Sequence, residues 1–242
     1  MLIDFHAHIL PGIDDGSRDP GMTEAMLREE KRQGVELIAA TPHFYAEKMS
    51  IDGFLARREN ALALMERLRR EAETPLPAVI AGAEVYYFEG MGGAETIARL
   101  CVGNTRTLLV ELPFMQWDEA VLRDVEALID RQRLHVVLAH VERYAGFQKD
   151  RCVWNRVMAL PLTPQINAGS FLKQGGFFRP DRKRRFCLDF LEAHPRLIVG
   201  SDCHNLRERP PNLAAAREEI AAALGTQALA GIDAAAVEAL AE

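Results

Sequence analysis

Two histidines stand two residues apart in Asp4-Phe5-His6-Ala7-His8, and Asp202-Cys203-His204 repeats that spacing late in the chain. In extended backbone, positions i and i+2 project to the same side, so each pair can offer two donors to one metal ion. Pro11-Gly12-Ile13-Asp14-Asp15-Gly16 places two carboxylates close behind the first pair. A turn ahead of a helix accounts for one of these aspartates without any ligand role, while the other ligates. His43 follows Pro42, Glu84 follows Gly82-Ala83, and His140 follows an apolar run. Glu111 is embedded in Leu108-Leu109-Val110-Glu111-Leu112-Pro113, where an unpaired buried carboxylate would be costly and a cation would offset the cost. Mixed imidazole and carboxylate donors suit Mn²⁺, Fe or Zn²⁺. Arg143 lies three residues after His140, and Arg209 five after His204. A guanidinium beside such a cluster fits bidentate binding of a tetrahedral oxyanion such as phosphate.

Other residues read more plainly. His135 opens a strand and His194 precedes Pro195, and both read as structural or solvated. Cys203, between two candidate ligands, reads as packing, so a cysteinyl-phosphate mechanism is not expected. Phe44-Tyr45 and Tyr86-Tyr87 follow ligand positions and either wall a pocket or fill the core. The run Arg182-Lys183-Arg184-Arg185, with Arg179 and the Gly175-Gly176 loop before it, is a solvated helix face or a docking surface for an acidic phosphoprotein segment.

The elements that must position these groups alternate. Apolar runs without strict two-residue periodicity, as in strands covered on both faces, fall at 2–5, 37–41, 78–81, 107–111, 135–139, 165–167 and 197–200. Helical spacing of apolar residues occupies 20–33, 52–72, 119–131, 181–193 and 213–224, and the Ala-rich stretches 214–223 and 234–241 read as terminal helices. Alternation of this kind predicts an α/β fold with a parallel sheet. Five of the seven histidines (His6, His8, His43, His140 and His204) then sit at or just past carboxyl ends of strands, where such folds gather their chemistry.

The 242 residues carry 48% hydrophobic and 26% charged side chains, which excludes a disordered chain and fits one large domain. No repeat or linker divides it, so 1–242 is read as one domain with helices from about 211 to 242 packed outside. A net charge of −6 disfavours nucleic acid as a partner. No stretch approaches the ~20 apolar residues of a membrane helix, and no basic stretch precedes the first apolar run as in a signal peptide. Four scattered cysteines without a Cys-x-x-Cys pair fit a reducing cytoplasm.

Taken in order, DFHAHILPGIDDG, GVELIAATPHF, GAEV, LLVELPF, LAHVERY, INAGS and VGSDCHN resemble the polymerase and histidinol phosphatase (PHP) superfamily. Within it, the chain resembles the bacterial tyrosine-protein phosphatases of capsule and exopolysaccharide loci, over about the first 210 residues. The resemblance implies a distorted (β/α)7 barrel with three divalent metals, of which Mn²⁺ is expected, at its carboxyl-end face. It assigns His6, His8, Glu84 and Asp202 to a first metal. Glu84 would bridge to a second, held also by Glu111 and His140, and Asp14, His43 and His204 would hold the third, with Asp15 as the substitute for Asp14 or its support. Arg143 and Arg209 match phosphate-binding arginines. One departure is His140-Val141-Glu142-Arg143, where relatives usually have Pro after the His. The implied reaction is metal-activated hydroxide attack on a phosphomonoester. The implied substrate is the phosphotyrosine-bearing tail of a polysaccharide-assembly tyrosine kinase. A small-molecule phosphatase acting on histidinol phosphate or a sugar phosphate is the competing enzyme reading, and a non-catalytic regulator of polysaccharide assembly the competing non-enzyme one.

Elemental analysis after reconstitution is expected to find two to three divalent metals per chain, and chelation is expected to abolish phosphatase activity. Less than one metal per chain would contradict the ligand reading.

Overall fold

The computed structural model describes residues 1–173 and 181–241, so Gly175, Gly176 and Arg179 lie outside the described residues. In chain order the elements are β1 (Ile3–Ala7), α1 (Pro20–Arg32), β2 (Leu37–Ala40), β3 (His43–Phe44), α2 (Ile51–Glu71), β4 (Ala78–Ala81), β5 (Glu84–Tyr86), β6 (Thr107–Glu111) and α3 (Glu119–Asp130). Then come β7 (His135–Leu138), α4 (Cys152–Met158), β8 (Thr163–Asn167), α5 (Arg182–Ala193), β9 (Ile198–Gly200), α6 (Leu213–Leu224) and α7 (Gln227–Glu238). Helix starts are set by local chemistry. Asp19 accepts from Met22 N ahead of Pro20, and Ser50, Asp118 and Asp181 cap α2, α3 and α5 in the same way.

Every pairing between the named strands is parallel, in the orders β1-β2-β4 and β3-β5-β6-β7-β8-β9. The division between the two groups reflects two short interruptions. Pro42 has no N–H to donate, and it separates β2 from β3; Gly82-Ala83 separates β4 from β5. Pairing carries through both gaps, because Gly82 N donates to Ala40 O at 2.8 Å and Glu84 N to Pro42 O at 3.0 Å. At the other side β1 meets β9 through an Ala7–Cys203 bridge, with Asp202 N donating to His6 O at 2.7 Å and His8 N to Cys203 O at 2.9 Å. The result is a curled parallel sheet that brings strand ends from distant parts of the chain to one place.

The side chains of these strands divide by parity, as the pleat requires. Leu108 and Val110 of β6 join Val136 and Leu138 of β7 in the larger core, which includes Met26, Met65 and Leu122 of the helices. Leu109, Val137, Ile198, Phe5 and Ala39 form a second cluster on the alternate positions, together with Ala235, Ala236 and Ala239 at the C-terminal end. Helix α7 contacts β1 and β9, and α6 contacts α5 and α7. Thr107 Oγ1 donates to Ala239 O at 2.6 Å, tying that end to β6. Glu111 continues the parity of Leu109, so the second cluster leads to the functional end of the strands.

Gly200 marks the closest approach of β9 to β1. A Cβ there would stand 2.7 Å from His6 Cβ and 3.2 Å from His6 N. Gly200→Ala therefore forces the strands apart, at a cost of about 1–3 kcal/mol. Thermal unfolding is expected to shift down by roughly 2–12 °C. An unchanged Tm would contradict this packing.

Candidate metal centre

The ends of β1 and β9, with the residues just after them, supply His6, His8, Asp202 and His204, while β3, β5 and β6 supply His43, Glu84 and Glu111. His140 follows β7. All except His43 are buried, so a dense set of charges has been withdrawn from water. Backbone strain gathers here too: His140 (φ 30°) and Asp202 (φ 51°) adopt left-handed conformations that side chains with a Cβ avoid. Gly16 gives the N-terminal loop its close contact, since a Cβ would lie 2.2 Å from His8 O.

Three overlapping groups result. His6 Nε2 and His8 Nε2 are 3.2 Å apart. Each is 3.2–3.3 Å from Glu84 Oε2 and 3.4–3.5 Å from Asp202 Oδ1. Four donors at the corners of a tetrahedron around an ion with ~2.0–2.2 Å bonds stand about 3.3–3.6 Å apart, which is nearly the spacing found. In the second group His140 Nε2 is 2.9 Å from Glu84 Oε1 and 3.3 Å from Glu111 Oε1. In the third, Asp15 Oδ1 is 3.5 Å from His43 Nε2 and 3.4 Å from His204 Nε2, beside the His8 ring.

The chemistry of these atoms fits divalent ions. Glu84 Oε2, Asp202 Oδ1 and His204 Nε2 are buried without a hydrogen-bond partner, although all face the cluster. His43 Nδ1 and Glu84 Oε2 are 2.9 Å apart, yet neither makes a hydrogen bond. Burial disfavours the Glu84 carboxylate, but the charge of His6, the hydrogen bond from His140 and the close His43 imidazole hold its pKa well below the usual range. Burial opposes a charge on His140 as well, yet its bonds to Glu111 and Glu84 raise its pKa to about 9. His204 behaves oppositely: burial and the neighbouring His8 and Arg209 charges lower it to about 3, which leaves a neutral imidazole able to donate a lone pair. The carboxylates draw positive charge into the centre, and protons on imidazoles meet that demand where no ion is bound.

The structure places the two adjacent aspartates differently. Asp14 turns inward, where His8 Nδ1 donates to its Oδ2 at 2.7 Å and the backbone N–H groups of Gly16 and His43 donate to it as well. That carboxylate is spent on orienting His8, and Asp15 is the one beside His43 and His204. The turn gives the two side chains different partners, which residue type alone does not reveal.

Neutral amides hold the rest, a role that sequence reasoning missed. Gln165 Oε1 lies 3.2 Å from His6 Nδ1 and accepts from His140 N at 2.7 Å. Gln165 Nε2 donates to Asn167 Oδ1 at 2.9 Å, and Asn167 Nδ2 donates to Asp202 Oδ2 at 2.6 Å. Their i, i+2 spacing on β8 was the available signal. Both arginines converge on the same outer oxygen: Arg209 Nη2 is 2.5 Å and Arg143 Nη1 3.9 Å from Asp202 Oδ2. Each stays partly exposed, and the Arg143 guanidinium lies 4.5 Å over the Phe114 ring.

Of the four aromatics, Tyr45 (5.3 Å from the His43 ring) and Tyr86 (5.5 Å from Tyr45) flank the centre. Phe44 is buried against Phe54, and Tyr87 donates to Asp124, so both serve the core. Phe114, stacked 5.8 Å from His140, takes a place at the centre that the sequence did not mark. The basic run is not one patch. Arg184 is committed to Glu219 and Phe171 O, whereas Lys183 lines a cleft of about 310 Å³ with Asp202 and Arg209. Cys203 and Arg209 have the Cys-x5-Arg spacing of cysteine-dependent phosphatases, but the structure excludes that chemistry. The thiol is fully buried, and burial with the Glu30 and Asp4 carboxylates raises its pKa well above the usual range.

Residues 2–240 match the family model for capsular polysaccharide synthesis, CpsB/CapC. The chain belongs to the CpsB/CapC family. It is 32% identical over 212 residues to the tyrosine-protein phosphatase YwqE of Bacillus subtilis, covering 86% of this chain and 79% of that protein. With the tyrosine-protein phosphatase CpsB of Streptococcus agalactiae it is 28% identical over 236 residues, covering 93% and 92%. Among solved structures it superposes, with a TM-score of 0.82 and 25% identity over 99% of this chain and 94% of the other, on one from work on B. subtilis YwqE and Streptococcus pneumoniae CpsB, described as unique metal-dependent tyrosine phosphatases.

Asp15→Ala is expected to lower the number of ions bound per chain by one. Asp14→Ala keeps the number and weakens affinity by about 10–100-fold, because only the orientation of His8 is lost. Metal titration followed by elemental analysis separates the two, and identical behaviour would contradict the assignment.

Proposed function

We propose that this protein is a metal-dependent protein-tyrosine phosphatase acting on the phosphotyrosine-bearing tail of a tyrosine kinase in polysaccharide assembly. The observation that carries the reading is the convergence of three abutting donor groups and two arginines on one partly exposed spot beside Asp202. Family membership and the names of the relatives support the substrate. His6, His8, Glu84 and Asp202 would hold one ion, Glu84, Glu111 and His140 a second, and Asp15, His43 and His204 a third. Manganese is proposed for all three, and the curled sheet is read as a distorted (β/α)7 barrel. Bound ions activate water at neutral pH and neutralise phosphoryl charge.

The chain's own groups do the rest. Arg143 and Arg209 orient the phosphoryl oxygens and stabilise charge on them, since a planar guanidinium grips two oxygens at once. Tyr45, Tyr86 and Phe114 offer apolar faces to a phenyl ring. Gln165, Asn167 and Asp14 fix the donors. Four unpaired cysteines suit the cytoplasm proposed as its location.

With Mn²⁺ supplied, a phosphotyrosyl peptide is expected to be hydrolysed faster than histidinol phosphate or a sugar phosphate. The reverse order would overturn the substrate, and no turnover at all would favour a regulator. Arg143→Lys keeps the charge and loses the fork, so kcat/KM is expected to fall roughly 10–1000-fold. Near-normal kcat/KM would remove Arg143 from phosphate binding.

A further inference from the structure

A second cleft, of about 620 Å³, opens beside the metal centre. Asp15 and Gly16 form its inner edge, and Arg18, Met22, Leu206 and Arg207 are among the residues that line it. It is continuous with the centre at Asp15, whose Oδ1 faces His43 and His204, and at Asn205, the residue after His204. The N-terminal loop that forms one wall is held in place. Gly12 N donates to Ser17 O at 2.8 Å, and Ser17 N donates to His8 O at 2.9 Å. The opposite wall is a tight turn, in which Asn205 Oδ1 accepts from the backbone N–H groups of Arg207 and Glu208.

The two guanidiniums here are free to take a partner. Arg28, Arg99 and Arg156 elsewhere on the surface pair with Glu24, Asp52 and Glu119. Neither Arg18 nor Arg207 makes a side-chain hydrogen bond or ion pair among the described residues, and both are exposed. The lining carries two guanidiniums and the carboxylates of Asp15 and Glu208; Asp15 faces the histidines at the inner edge, which leaves Glu208 as the carboxylate beside Arg18 and Arg207 in the outer part. Met22 and Leu206 add apolar surface between rigid walls, so the cleft matches a peptide segment rather than a lone ion.

We infer that this cleft binds the chain flanking the phosphotyrosine and selects an acidic residue there, through Arg18 and Arg207. The inference rests on the phosphatase reading above and specifies its substrate: a phosphotyrosine with a carboxylate or second phosphate nearby on one side. Arg18 and Arg207 are specificity residues that touch the flanking segment and take no part at phosphorus.

The test uses the Mn²⁺-loaded full chain and neutral phosphotyrosyl heptapeptides in which one Glu is walked from three residues before the phosphotyrosine to three after it. The wild-type protein is expected to favour Glu on one side by roughly 3–30-fold in kcat/KM, mainly through KM, and added salt should shrink the preference. Arg18→Gln with Arg207→Gln should erase it while leaving p-nitrophenyl phosphate turnover within about twofold, which also reports on folding. Each single variant should lose part of it. Equal hydrolysis of all the peptides by wild type, or a preference that survives in the double variant, would overturn the inference alone. Turnover of p-nitrophenyl phosphate without turnover of any phosphotyrosyl peptide would instead overturn the phosphotyrosine substrate on which it rests.

Discussion

Two carboxylates with almost no exposure, Glu84 and Asp202, set the terms for everything around them. Each has an oxygen without a hydrogen bond, and both oxygens point at the Nε2 atoms of His6 and His8. An ionised carboxylate in that position is tolerated only where positive charge meets it. The fold answers from several sides at once: imidazoles from β1, β3 and the ends of β7 and β9, and guanidiniums from the loops after β7 and β9. The left-handed backbone at His140 and Asp202 belongs to the same settlement, since ordinary dihedrals would not aim these residues at the shared centre.

Around the donors stands a layer with no charge to offer, and it decides their aim. Gln165 reaches the His6 ring and the backbone of His140 with one oxygen, so a single amide ties donors from β1 to the loop after β7. Asn167 passes the connection on to Asp202. Ser201 N and His6 N both donate to Asp4 Oδ1, which pins β9 to β1 behind the ligands. The donors are thus held by parts that lie on rigid strands, as a preformed ion site requires.

Much of this was legible in the residues. Seven strands and the main helices announced themselves by apolar runs and helical spacing. The strands β3 and β5 did not, being two and three residues long and carrying polar ligands in place of an apolar pattern. The seven-residue α4 has no side-chain cap to mark its start. Histidine pairs at i, i+2 were readable because extended backbone puts alternate residues on one side. Asp14 and Asp15 were not separable, because a turn aims neighbouring carboxylates in directions that residue type does not encode. Gln165 and Asn167 escaped because an amide inside a strand carries no signal of charge. Arg184 was misread as free surface, since its partner Glu219 is 35 residues away in sequence.

The junction of β1 with β9 has a consequence for how the protein comes into being. Asp4 and Ser201, bonded across it, are 197 residues apart. A ribosome adding about 5–20 residues per second leaves roughly 10–40 seconds between the emergence of His6 and that of Asp202. Throughout that interval the first histidines have no carboxylate from β9, and the edge of β1 has no neighbour on that side. Parallel strands so far apart in sequence also pair slowly, because the loop must close before any contact rewards it. The centre is therefore completed last, and a chain interrupted before residue 202 carries His6, His8, His43 and His140 without the Asp202 and His204 that complete it.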